Sequence, residues 1–74
     1  MRYAVVIERS ETGYSAYVPD LPGCIAAGPS AAETESAIRE AIRFHIAGLR
    51  EDGIPLPAAA SRVDYVEIAA RDTQ

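Results

Sequence analysis

Few side chains in the sequence invite chemistry, and each can be weighed against what that chemistry requires. The single cysteine, Cys24, stands beside Ile25 in a short apolar stretch. No Lys or His neighbours it in sequence to favour the thiolate, so it reads as a small buried apolar group and not as a nucleophile. The single histidine, His45, lies between Phe44 and Ile46 at the border of an apolar stripe. General acid–base work would need a companion within hydrogen-bond reach, and Arg50 and Glu51 do not form a recognisable set. Glu8, Asp20 and Glu40 are the acids to test for a metal-dependent nuclease. Two-metal phosphoryl chemistry needs several converging carboxylates, whereas Glu8 and Asp20 fall near strand ends and Glu40 falls mid-helix. One Cys and one His are a poor start for a metal cage. The residues therefore predict no catalytic group, no metal and no cofactor.

The chain has 74 residues, 49% of them hydrophobic and 24% charged, which suits one domain over residues 1–74. A domain this short buries only about 60% of the surface its unfolded chain exposes, so association with other chains is expected to help stabilise it. Seven Arg, no Lys and eleven Asp plus Glu give a formal charge of −4. The arginines, at 2, 9, 39, 43, 50, 62 and 71, are interspersed with acids, which disfavours direct binding to nucleic acid. A basic protein partner suits this balance better. The amino terminus reaches Glu8 before it can build a signal-peptide core, and no apolar run approaches the roughly 18 residues of a membrane span. A cytoplasmic location without membrane contact is expected.

Arg2–Arg9 alternates, with Tyr3, Val5 and Ile7 on one face and Ala4 and Val6 on the other, and reads as a strand. Ser10-Glu11-Thr12-Gly13 turns the chain into a second strand, Tyr14–Val18, in which Tyr14, Ala16 and Val18 oppose Ser15 and Tyr17. Two prolines and a glycine in Pro19–Gly23 must end that strand, and a short third one, Cys24–Ala27, follows. Ser30 and Glu33 make a capping box, so a helix begins at Ala31, and Ala37, Ile38, Ala41, Ile42, Ile46 and Leu49 line one face of it. It ends near Arg50 with Gly53 as a left-handed stop. Ile54–Ala58 is a proline-bearing return, Val63–Ala69 a fourth strand, and Arg71–Gln74 a fraying end. The pattern predicts a two-layer α+β fold, β-β-β-α-β, with one covering helix. A right-handed crossover gives the sheet order 3-2-1-4. Ala4, Val6 and Tyr17 then lie on the face the helix leaves open, where another copy or another protein could cover them.

The run Tyr14-Ser15-Ala16-Tyr17-Val18-Pro19-Asp20-Leu21-Pro22-Gly23-Cys24, then Gly28, the capped helix start Ser30–Thr34 and the Ile54-Pro55-Leu56-Pro57 return resembles the HicB-like antitoxin family over nearly the whole chain. That resemblance implies a trimmed, degraded ribonuclease-H-like sheet with one helix. It also implies a partner: a small basic HicA-type toxin that cleaves messenger RNA and whose RNA-facing surface the antitoxin occludes. Many members carry a carboxy-terminal DNA-binding segment, whereas this sequence stops after its fourth predicted strand. A short antitoxin of a type II toxin–antitoxin pair is the leading expectation. A solitary, self-associating member without a toxin, a homodimer or homotetramer, is the alternative, and a degraded nuclease is the least favoured.

Within the motif, Pro19, Asp20, Leu21, Pro22, Gly23 and Cys24 form the candidate partner contact, but prolines and a glycine at a corner between strands explain the same residues geometrically. Asp20 is expected to cap or turn its own local backbone.

Overall fold

The computed structural model describes residues 1–70; the fraying expected of Arg71–Gln74 lies outside them. Three antiparallel strands, β1 (Val6–Ser10), β2 (Gly13–Tyr17) and β3 (Ile25–Gly28), form a sheet of order β1-β2-β3, and α1 (Ala31–Glu51) follows. The β1–β2 hairpin pairs Val6 with Tyr17 and Ser10 with Gly13, which leaves Glu11 and Thr12 as its turn. β2 pairs with β3 from Tyr14–Gly28 to Tyr17–Ile25.

This register sorts the side chains by face. Ile7, Ala16 and Ala26 form one cross-strand row, and Val6, Tyr17 and Ile25 form the next row, on the opposite face. The first face meets the helix. Ala16, Val18, Leu21, Cys24 and Ile38 form the buried core, with Tyr3, Val5, Ala26, Ala41, Ile42 and Ile46 packed around it. Burial of Leu21 and Ile38 contributes about 1.5–3 kcal/mol each.

The helix begins and ends as the sequence predicts. The Ser30 hydroxyl accepts from the Glu33 amide at 3.1 Å. The reciprocal half of the box differs: the Ser30 hydroxyl donates to the Glu33 carboxylate at 3.0 Å, side chain to side chain. Thr34, absent from the predicted apolar stripe, is fully buried because its hydroxyl donates to the Ser30 carbonyl at 2.7 Å. Gly28 is required where β3 delivers the chain to this start, since a Cβ there would come within 2.9 Å of the Thr34 hydroxyl and 3.1 Å of its amide. At the far end Gly53 takes φ +70, and its amide donates to the Arg50 carbonyl.

One predicted element is corrected. Val63–Ala69 forms no strand among the described residues, so the fourth position of the 3-2-1-4 order, outside β1, is not filled by this segment. Alternation alone makes a segment competent to pair; a ladder also needs an edge alongside, and this segment lies along no strand of its own sheet. Its base is tied down at two points upstream. The Tyr3 hydroxyl donates to the Pro57 carbonyl, and Ser61 is bound to Asp20. From Arg62 to Ala70 the side chains stand exposed.

Candidate partner interface

The loop joining β2 to β3 is a built corner. The Val18 amide donates to the Cys24 carbonyl, the Leu21 amide to the Val18 carbonyl and the Cys24 amide to the Leu21 carbonyl. Gly23 supplies the positive φ, +82, that lets so short a corner close. The corner drives Leu21 inward, where its exposure is 0%, and Cys24 follows it into the core. Burial pushes the Cys24 thiol pKa up, which keeps it protonated. Of the six motif residues, Leu21 and Cys24 have their side chains in the core and hold the loop in place; Pro19, Pro22 and Gly23 are exposed.

Asp20 corrects a second expectation. Its carboxylate accepts from the Ser61 amide at 2.8 Å and from the Ser61 hydroxyl at 2.9 Å, so it ties down a residue 41 positions away instead of turning its own backbone. No local signal announces such a bond, because Ser61 sits in an unpatterned stretch. The Ser61 amide is the main cause, and its hydroxyl the next, of an Asp20 pKa below the usual carboxylate value. A depressed carboxylate pKa supports the tie above the unfolded value and loses it as pH falls through the folded one, which places release below about pH 4. The Ser61 amide resonance is expected to titrate with a midpoint below that of an ordinary aspartate, and Asp20→Asn to abolish the titration. A midpoint at the ordinary value would refute the tie.

The remaining candidate groups are dispersed. Glu8 is exposed on the open face of β1, and Glu40 pairs with Arg43 at 2.8 Å on the outside of the helix. Among the described residues no group of three or more His, Cys, Asp or Glu side chains could hold a metal ion. His45 faces a shallow groove of about 440 Å³ between β3 and the helix, with Gly23, Cys24, Ile25, Phe44 and Gly48 around it.

That groove joins an apolar surface. The open sheet face carries the row Val6, Tyr17 and Ile25, and Ile25 stands 70% exposed on the outermost strand. Phe44, on the helix, is 83% exposed on the other flank of the same edge. Val6 and Tyr17 were legible from alternation; Ile25 and Phe44 were not, because the position of β3 at the sheet edge sets their exposure. Gly48 lies in the same groove. Glycine inside a helix costs about 0.5–1 kcal/mol relative to alanine. A Cβ here would meet nothing within 4 Å, so packing within the chain does not require the glycine. It leaves room for a close approach from outside. Among the described residues no helix is long and apolar enough to cross a membrane.

Comparison with known proteins agrees with this reading of a binding fold. A family model described as HicB-like antitoxin of bacterial toxin–antitoxin systems matches residues 3–72. The chain is 41% identical over 66 residues to an uncharacterized 14.9 kDa protein from the rep-hol intergenic region of Haemophilus phage HP1, covering 89% of this chain and 50% of that one. It thus spans half the length of that phage relative. It is 40% identical over 65 residues to a UPF0150 protein of Helicobacter pylori, covering 86% and 90% of the two chains. A chain in the solved HicA3 and HicB3 toxin–antitoxin complex superposes with a TM-score of 0.66 at 34% identity, over 84% of this chain and 70% of that one. With a three-stranded antiparallel sheet, one capped helix and a family match over nearly its whole length, the chain belongs to the HicB-like antitoxins of bacterial toxin–antitoxin systems.

Proposed function

We propose that this protein is the antitoxin of a type II pair and acts without catalysis, in the cytoplasm, by binding a HicA-type messenger-RNA-cleaving toxin and occluding its RNA-facing surface. The observation that carries this reading is the likeness, in both fold and sequence, to a chain of a HicA3–HicB3 complex. The charge of −4 supports it, since an acidic antitoxin and a basic toxin meet faster than neutral partners. The surface that fits the toxin is the β3 edge, where Ile25 and Phe44 flank an open strand and Gly48 leaves clearance. The exposed motif residues Pro19, Pro22 and Gly23 adjoin this edge, while Leu21 and Cys24 hold it from beneath. A trimmed ribonuclease-H-like sheet suits such a role, because it offers open strand edges to a partner.

Co-expression with the protein encoded by the adjacent gene tests the reading. A small basic protein is expected to co-purify with this chain, and growth arrest caused by that protein alone is expected to be relieved. Failure of both outcomes would reject the antitoxin assignment.

A further inference from the structure

The sheet has a second open edge, at β1, and its surroundings match the segment that leaves the body of the chain. Between β1 and the helix runs a groove of about 390 Å³. Tyr3, Val5, Ile7, Ile38 and Ile42 give it apolar walls, and Arg2 and the Glu35–Arg39 ion pair stand at it. It lies where the next strand of the sheet would sit, and β1 offers its backbone groups there for pairing.

The segment 62–69 has the complementary character. Tyr65 and Val66 are 84% and 80% exposed, and Val63 and Ile68 are more than half exposed. Asp64 and Glu67 are interspersed among these apolar side chains, one on each face of an extended chain. A strand of this composition carries apolar groups for the groove walls and, in Glu67, an acid for Arg2; Arg39 and Asp64 are already paired within the chain, with Glu35 and Arg62. It leaves the body on the β1 side, because residues 59–63 face Arg2, Tyr3 and Ala4 across a neighbouring groove. The chain is correspondingly drawn out: its radius of gyration is 15.1 Å, against about 11 Å for a compact chain of this length.

We propose that the arm Arg62–Ala69 of one copy adds as a fourth strand to the β1 edge of a second copy, each chain lending its arm to the other about a twofold axis. Such an exchange is isologous, since the arm and the edge it needs are on the same side of every copy. Two arms, two edges and the groove walls bring roughly 20 residues per chain into the interface, the scale of a stable dimer. This use of the β1 edge leaves the β3 edge free and does not rest on the antitoxin reading.

Sedimentation of the full chain at micromolar concentration is expected to show a dimer. Tyr65 and Val66 point to opposite faces of a strand, so one of them must enter the groove whatever the register. The double variant Tyr65→Asp/Val66→Asp is expected to dissociate at least 30-fold more readily, with the helix content of the body unchanged because both residues are exposed. Arg2→Glu, at the rim, is expected to weaken the dimer without touching the arm. In a mixture of labelled and unlabelled chains, isotope-filtered NOEs are expected between the Val66 and Ile68 methyls of one chain and Ile7 or Ile42 of the other. A monomeric wild type, a dimer indifferent to the arm substitutions, or NOEs confined to one chain would overturn the proposal. So would arm resonances that move only when a toxin is added, which would give the arm to the toxin instead.

Discussion

Leu21→Ala is expected to lower the thermal midpoint by roughly 12–24 °C, the equivalent of about 3 kcal/mol for a domain of this size. Leu21 is the most buried large side chain in the fold, at 0% exposure, and it enters the core from a loop. The corner bonds between Val18, Leu21 and Cys24 fix the backbone on both sides of it, so the surroundings have little freedom to collapse into the space an alanine would leave. The cost is then the lost transfer energy plus a cavity contribution, in total about 2–5 kcal/mol. A 74-residue domain has only about 4–11 kcal/mol of stability in all, so the variant sits near the threshold of folding. Leu21→Met, which conserves volume, is expected to cost less than about 1.5 kcal/mol and separates packing from a requirement for leucine itself. Calorimetry or thermal circular dichroism at fixed protein concentration measures both, since any self-association makes the midpoint concentration-dependent. A fall of less than about 4 °C, the equivalent of under about 1 kcal/mol, would show that the corner does not depend on its plug.

That the most consequential core residue lies in a proline-rich loop shows where sequence patterning stops being informative. Periodicity located β2, the helix and the second half of the predicted first strand, Arg2–Val5 lying outside β1, because each buries one face against a partner, and burial leaves a repeat of two or of three to four residues in the chain. The Ser30 cap and the Gly53 stop were legible for the same reason: each is a local solution to unsatisfied backbone groups. Leu21 obeys no period, since its neighbours Pro19, Asp20, Pro22 and Gly23 shape a corner, and only the corner bonds determine which of them turns inward. The Asp20–Ser61 tie was illegible because its partners are 41 residues apart. Val63–Ala69 shows the converse: its alternation suggested a fourth strand, yet periodicity carries no information about whether an edge lies alongside, and in this fold none does. For the partner surface, Val6 and Tyr17 were readable as apolar residues on an uncovered face. Ile25 and Phe44 acquire meaning only once β3 is known to be the outermost strand.

If the proposed antitoxin role holds, Ile25→Ala together with Phe44→Ala is expected to weaken binding of the HicA-type partner by about 2–4 kcal/mol, roughly 30- to 900-fold in Kd, with little effect on the fold. Both side chains project from regular elements into solvent and lie outside the buried cluster, so their truncation belongs with surface changes that alter stability by about 0.5 kcal/mol or less. In a complex they would become apolar anchors on either side of the β3 edge. The kinetic signature is specific. Neither substitution changes the charge of −4 that steers encounter, so the association rate is expected to hold while dissociation accelerates. Raising the salt concentration should do the reverse, slowing association of wild type and variant alike. Gly48→Leu supplies an independent check, because it projects into the same groove from a helix position where an added Cβ meets nothing within 4 Å. It is expected to weaken the complex while slightly stabilising the free protein, a combination that a merely destabilised antitoxin cannot produce. Surface plasmon resonance with the protein encoded by the adjacent gene, paired with thermal melts of each variant, reads both quantities. Tight binding retained by the double alanine variant and by Gly48→Leu would place the toxin elsewhere on the molecule and leave the β3 edge without its assigned partner.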